Sequence, residues 1–217
     1  MTMKLGYWDL RGLCQPIRLL LAYKGEQFEE KRYEVKDAEK RKEWQEKDKL
    51  KTGLDLPFPN LPYLIDGDRK LVQSQAILYY LGRKYNMCGK TEDERVRVDV
   101  SLHQALDLRR SFTSLSFASD FADKKPDYLQ KLPTVLQGFV DFIGGRKWLA
   151  GDELTISDFH FYEQLAQHLI LDPSCLDKFP RLQEYVANFE GLPAIKAYRA
   201  SSIFIKRPIN SPFATFT

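Results

Sequence analysis

Cysteine is scarce in this chain: Cys14, Cys88 and Cys175 are the three among 217 residues. They form no close-spaced pair and cannot all pair with one another, which fits a reducing compartment better than a disulfide framework. Histidine is as sparse, and His103, His160 and His168 show no metal-ligand spacing with acids or cysteines, so no metal is expected. An excess of one charge is also missing. Lys plus Arg number 33 against 30 Asp plus Glu, with the signs interspersed, so composition gives no support to a nucleic-acid or membrane-surface role. No apolar run approaches the ~18 residues that cross a bilayer, and "MTMKLGYWDLRG" lacks the apolar core of a signal peptide. These absences predict a soluble, cytoplasmic protein. Internal repeats and low-complexity segments are absent as well.

What is present is ordinary globular material, 43% hydrophobic and 29% charged, arranged in two halves of different texture. Residues 1–84 alternate strands and helices. "MKLGYWD" reads as a strand; "QPIRLLLAYKG" reads as a helix, with Pro16 suited to a first helical position and Gly25 to a stop. "FEEKRYEV" alternates as a second strand, and a charged stretch from Ala38 to Leu50 follows, with Trp44 read as its one large apolar residue. "LPYLID" and "KLVQS" flank "GDR" as a hairpin, and "SQAILYYLGRKY" is helical. The order is β-α-β-α-β-β-α. After a linker at 85–90, residues 91–217 read as helices alone. The first is opened by Thr91 with Glu94 as capping-box partner, and the next is read from Pro126. The tail after Lys206 is too rich in Pro and Ser to be helical.

A β-α-β unit followed by β-β-α, with a proline opening the third strand, defines an α/β thioredoxin-like domain, here joined to an all-α C-terminal domain. In that arrangement the loop after the first strand faces the loop carrying the proline. A ligand between them meets a helix N-terminus, which favours an anion such as a thiolate or carboxylate. A dithiol mechanism is disfavoured, because Cys14 starts "CQPI" and Ile17 stands where a second cysteine would be. Cys14 reads as a packed residue, while its place near a helix start leaves a monothiol route open. Tyr7 closes the first strand, and a neutral phenol there can donate a hydrogen bond to a thiolate. Pro62 cannot donate to a ladder, so it belongs at a strand's first residue, and the Leu61–Pro62 bond is expected to be cis.

Three separated motifs carry a family likeness: "LGYWDLRGLCQPIRLLLAYKG", "GLDLPFPNLPYLIDGDRKLVQSQAILYYLGRKY" and "WLAGDELTISDFHFYE". Together they resemble the cytosolic glutathione S-transferases, and "GYWDLRG" with "PNLPYLIDG" resembles the mu class. The resemblance implies that the chain conjugates the thiolate of reduced glutathione, a co-substrate rather than a resident cofactor, to hydrophobic electrophiles. It implies that Tyr7 activates the sulfur, and that Trp8, Arg41, Trp44 and Lys49 hold the glycyl carboxylate. Asn60 and Leu61 would face the cysteinyl portion, and Gln73 and Ser74 the γ-glutamyl end. Asp107 would reach that end from a second subunit of a homodimer, with Phe58 as the aromatic key between subunits. Leu13, Phe117 and the tail would wall the electrophile.

The likeness has departures. The segment between Tyr33 and Trp44 is shorter than usual, and one extra residue follows Trp44, leaving Lys47, Lys49 and Lys51 as competitors, of which Lys49 keeps its spacing to Gly53. "GLDLPFPN" is longer than the common form. Phe117 stands where many mu-class enzymes carry a tyrosine that assists addition to epoxides. Thr155 and Asp158 in "TISD" are read as a capping box rather than as catalysts. Two alternatives share the scaffold: a glutathione-dependent isomerase, for example of prostaglandin endoperoxides, and a non-catalytic carrier of hydrophobic ligands.

Overall fold

The structure is a computed structural model and describes residues 2–50 and 53–217; Lys51, one of the three competing lysines, lies outside the described residues. The N-terminal part contains β1 (Met3–Trp8), α1 (Gln15–Tyr23), β2 (Phe28–Tyr33), α2 (Ala38–Lys42), β3 (Tyr63–Asp66), β4 (Arg69–Val72) and α3 (Ser74–Lys84). The sheet runs β2-β1-β3-β4, with β1 and β2 parallel and the other pairs antiparallel. β1 is therefore an inner strand, and Tyr7 reaches its end paired with Arg32 on one side. Gly6 is required by close approach: a Cβ there would sit 2.1 Å from the ring of Tyr63.

The helical part contains α4 (Glu92–Phe117), α5 (Phe121–Ile143), α6 (Ile156–Leu171), α7 (Pro180–Glu190) and α8 (Pro193–Ala200). α6 packs against α1 and α4 and so holds the two parts together. It is buried on nearly every side, with Ile156, Phe159, Phe161 and Leu165 fully inside; each such side chain contributes roughly 1.5–3 kcal/mol. Its polar residues His160, Glu163, Gln164, Gln167 and His168 are buried too, the pattern of a central helix rather than a surface one.

Two local readings need correction. α5 begins at Phe121, not Pro126, and carries Pro126 and Pro133 inside it. A proline near a helix start removes one ladder bond without ending the helix when the flanking face is packed; Leu132, Leu136 and Phe139 supply that packing. The stretch after α2 is also unusual, because Glu43–Asp48 winds as a π-helical turn, with the Lys49 N–H donating to the Trp44 carbonyl at 2.9 Å. A π-turn is rare and often found at functional sites, and this one spans Trp44 and Lys47, with Lys49 directly after it.

Candidate functional site

The site is built around the turn between β1 and α1. The Tyr7 phenol is buried, and its oxygen accepts from the Leu13 N–H at 3.1 Å. Its own proton has no acceptor among the described residues and remains available to a ligand. Burial pushes its pKa up; the Leu13 N–H works the other way, the Cys14 thiol adds to the rise, and Arg109 and Arg18 oppose it. Tyr7 is therefore a neutral donor at physiological pH. The Arg18 guanidinium lies 5.9 Å from its ring centroid. Gly12 makes the turn possible, since its φ is +44° and a Cβ there would lie 2.5 Å from the phenol oxygen.

Cys14 stands just beyond, fully buried, and desolvation pushes its thiol up to about 12, with Arg18 opposing and Glu30 reinforcing. A thiol so placed is not a nucleophile at neutral pH, which removes the monothiol route.

The turn is held from two directions. Arg11 forks onto Glu163 of α6, Nε to Oε1 at 2.9 Å and Nη2 to Oε2 at 2.7 Å, both groups buried. Burial alone would lower the Arg11 pKa, but the charge of Glu163 and its hydrogen bonds outweigh that and leave it raised. From the C-terminal tail, the Pro208 carbonyl accepts from Arg11 N–H at 3.0 Å and the Ile209 carbonyl from Gly12 N–H at 2.8 Å.

Across the sheet an aromatic group forms. Trp44 is buried and stacks on Tyr63 at 6.2 Å while meeting Tyr33 edge-on at 5.5 Å; half-buried Trp8 meets Tyr33 at 6.2 Å. The Tyr33 hydroxyl donates to Asp48 at 2.6 Å, and Lys31 pairs with the same carboxylate at 2.7 Å. Lys49 and Lys47 are both exposed, but the π-turn brings Lys49 back beneath Trp44, one turn on. Arg41 is turned inward, donating to the Val35 carbonyl at 2.7 Å and lying 5.8 Å from the Phe213 ring centroid of the tail.

The Leu61–Pro62 peptide bond is cis, as is Arg207–Pro208 in the tail. The Leu61 N–H is occupied by the Asn60 Oδ1 at 2.9 Å, so the carbonyl is the Leu61 backbone group left to face a ligand. Gln73 precedes α3 at φ +70°, ψ 114°, exposed and without a capping bond. A helix-cap role therefore does not account for it, and such a backbone costs of order 1–3 kcal/mol. Ser74, buried, donates to Gln75 Oε1 at 3.2 Å.

Elsewhere the residues stand apart. Leu13 is half-buried beside Tyr7, and Phe117 is 50% exposed at the end of α4. Phe58 is 86% exposed at φ +45°, and Asp107 is exposed on α4, paired with Arg110 at 2.8 Å. Asp158 is fully buried and accepts from Thr155 N–H and hydroxyl, both at 2.8 Å, Leu149 N–H at 2.9 Å and the Tyr185 hydroxyl at 2.7 Å. Those four donors leave it nothing to offer a substrate. Sequence reasoning missed Arg11, Glu163, Arg109 and Asn210; the polar stripe at 160, 163, 164, 167 and 168 inside an otherwise apolar helix was the available signal.

The family profiles that match are described as "Glutathione S-transferase, N-terminal domain", over residues 3–83, and "Glutathione S-transferase, C-terminal domain", over residues 106–202. The chain belongs to the glutathione S-transferase family. Among its relatives, Glutathione S-transferase Mu 4 of Homo sapiens is 47% identical over 218 residues, covering 100% of this chain and 99% of that one. Glutathione S-transferase Mu 2 of Rattus norvegicus is 49% identical over 216 residues, covering 99% and 98%. This likeness places the chain with the mu class. Of solved structures, the glutathione S-transferase Blo t 8 superposes with TM-score 0.87 at 35% identity, covering 98% of each chain, and the Onchocerca volvulus Pi-class enzyme with TM-score 0.84 at 33%, covering 99% and 100%.

Proposed function

We propose that this protein joins the thiolate of reduced glutathione to hydrophobic electrophiles, with Tyr7 holding the sulfur as a thiolate. The observation that carries this reading is the unspent proton of the buried Tyr7 phenol, fixed by Leu13 N–H at 3.1 Å. A thiol that titrates near ~8.5 needs about 1.4 kcal/mol of differential stabilisation per unit of depression, which one charge-assisted hydrogen bond supplies. Trp8, Trp44 and Lys49 receive the glycyl carboxylate, and Arg41 does so once it leaves the Val35 carbonyl. The Leu61 carbonyl receives the cysteinyl N–H, and strained Gln73 with Ser74 at the start of α3 receives the γ-glutamyl carboxylate. The electrophile enters over Tyr7 between Leu13, Phe117 and the tail. All three cysteines are unpaired, which supports a reducing, cytoplasmic setting, and removal of reactive electrophiles by conjugation would serve detoxification.

Activity with glutathione and chlorodinitrobenzene is the test. Tyr7→Phe lowers kcat/KM about a hundredfold, the usual scale for losing one donor to a developing anion, and raises the pKa of the bound thiol. Cys14→Ala retains activity. Loss with Cys14→Ala but not with Tyr7→Phe would sink the assignment, and binding without turnover in the unaltered protein would favour the carrier.

A homodimer completes the reading. Exposed Val96 and Val100 share a stripe of α4 with Asp107 at helical spacing. Beside them a cavity of about 300 Å³ opens between α4 and α5, lined by Val100, Val135, Phe139 and Phe142. Phe58 is the exposed ring that such a cavity accepts from a second copy. Phe58→Ser should yield a monomer by light scattering, and an unchanged dimer would exclude Phe58 as the key.

A further inference from the structure

Between α1, β2 and α8 lies a groove of about 580 Å³ that shares no residue with the glutathione site, the electrophile wall or the subunit contact described above. Its walls are Ala22 of α1, Phe28 of β2, Ala194 and Ala197 of α8, and Ile203 just beyond α8. Residue size is what keeps it open. Ala194, Ala197 and Ser201 follow one another at spacings of three and four, so α8 and its cap present a row of small side chains to the opposite wall. Ala22 and Gly25 on that wall are small as well. β2 is the edge strand of the sheet, so no further strand covers this side. Protein interiors ordinarily leave few gaps larger than a water molecule, whereas clefts that hold small molecules run from ~300 to ~1,000 Å³, with mostly apolar walls and a few polar groups.

The charged groups of the groove carry one sign. Glu26 and Glu30 line it, and among the described residues no Lys, Arg or His does. The two carboxylates differ in what they have left to offer. Glu30 is spent, since Arg18 Nε donates to its Oε1 at 2.5 Å and Arg32 Nε to its Oε2 at 2.8 Å, and Arg32 also bonds the Ile203 carbonyl at 2.6 Å. Glu26 accepts the Tyr85 hydroxyl through Oε2, and its Oε1 is free. The neighbouring lysines are engaged elsewhere: Lys24 lies 6.0 and 5.6 Å from the Tyr23 and Tyr85 ring centroids, and Lys84 pairs with Asp66 at 2.5 Å. A second group also lacks a partner. Tyr198 lines the groove with 8% of its surface exposed, and its hydroxyl is unpartnered among the described residues. The Gln15 amide lies beside it without a bond of regular geometry and is itself unpartnered at both atoms. Buried hydroxyls are ordinarily bonded, and this one can accept from a ligand N–H.

We propose that this groove is a second small-molecule site and that it takes amphipathic organic amines, an aromatic or alicyclic body carrying a protonated nitrogen. The body lies between the alanine row of α8 and Phe28. The ammonium pairs with the free oxygen of Glu26, a charge-assisted bond stronger than a neutral one, and the Tyr198 hydroxyl offers a further acceptor to its N–H groups. A carboxylate ligand is selected against, because it would face two acids and no cation. The site is separate from conjugation: its ligand needs no electrophilic carbon, no covalent bond forms, and glutathione takes no part.

Calorimetric titration of the full-length protein at neutral pH, with and without saturating S-hexylglutathione, tests it with 1-naphthylmethylamine, 1-naphthalenemethanol and 1-naphthoate. The three probes share one ring body and differ in a positive, neutral or negative head. The amine should bind at one equivalent per chain whether or not S-hexylglutathione is present, about tenfold more tightly than the alcohol, with the naphthoate weaker than both. Glu26→Gln should lower the amine affinity about tenfold and the alcohol affinity by less than about twofold. Ala197→Trp, at an exposed position of α8, should abolish binding of both. Conjugation rates of the two variants should match the unaltered protein, which verifies folding; Glu30 is left unaltered because it holds Arg18 beside the Tyr7 ring. Amine binding that S-hexylglutathione displaces would put the amine in the conjugation site and overturn the proposal. So would equal affinities for amine and alcohol, an amine affinity unchanged in Glu26→Gln, binding that persists in Ala197→Trp, or no binding of the amine at all.

Discussion

Arg11→Ala should cost about 3–5 kcal/mol of folding stability, the range found when one partner of a buried ion pair is removed and the other charge stays behind. At roughly 2–4 °C per kcal/mol for a chain of this size, the melting temperature falls by about 6–20 °C. The reason lies in the geometry: the Glu163 carboxylate has no exposure and receives both Arg11 bonds plus one from Gln167 Nε2 at 2.7 Å. Without Arg11 only Gln167 remains as a hydrogen-bonded neighbour. Glu163→Ala is expected to do comparable harm by stranding Arg11 beneath the tail. A double variant, Arg11→Met with Glu163→Leu, should recover much of the loss, because filling both positions with apolar side chains removes the desolvation cost along with the attraction. Thermal unfolding of the three variants decides it. Single variants within about 1 kcal/mol of the unaltered protein would mean that the fork is no more than a surface-like pair. The single variants should also lose turnover beyond their loss of fold, since Arg11 lies two residues from Leu13, whose N–H fixes the Tyr7 phenol.

How much of this was legible in the sequence depends on distance along the chain. β1, α1, the β3–β4 hairpin and the Thr91 cap were readable because each is specified by neighbours a few residues apart: Pro16 at the start of α1, "GDR" at the hairpin, Glu94 three residues beyond Thr91. Asp158 was readable as a cap for the same reason, although its further bonds to Leu149 and Tyr185 were not. The start of α5 was misplaced because Pro126 was read as a boundary. A single missing N–H weakens a helix locally, and long-range packing of Leu132 and Phe139 decides whether the turn forms. The π-turn at Glu43–Asp48 was not readable, since Asp48 within it meets Tyr33 and Lys31, residues more than a dozen positions earlier. The Arg11–Glu163 fork joins positions 152 apart, and periodicity shows only that a polar residue lies on a buried helix, not what it meets. Tyr7 and Pro62 stood out as awkward residues at strand ends, and such local conflicts are where a sequence shows its site.

Acid should unfold this protein earlier than its carboxylates alone would dictate, because two histidines of α6 are kept neutral inside it. His160 is pushed down to about 3, first by burial and then by the nearby Arg109 charge, with its own backbone working the other way. His168 is pushed down to about 4 by burial, against the opposing pull of the Gln164 carbonyl. Its Nδ1 faces that carbonyl at 2.7 Å and must carry the proton, so its Nε2 accepts from the Tyr128 hydroxyl at 2.6 Å. In the unfolded chain both titrate near ~6.5. The unfolded state therefore binds more protons than the folded one below that value, and stability falls as pH falls. It is full above about pH 6.5, declines by about 1.4 kcal/mol per pH unit for each histidine, and the decline ends only near the folded values. From about pH 7 to about pH 5 the two together remove roughly 4 kcal/mol, in a window where most Asp and Glu are still ionised in either state. Urea denaturation at those two pH values measures it. His168→Gln, which cannot take up a proton, should cut the pH dependence by about half whatever it does to stability at neutral pH. Equal stability at the two pH values would mean that acid reaches both imidazoles without unfolding α6, contrary to a helix buried on nearly every side, against α1, α4, α7 and α3.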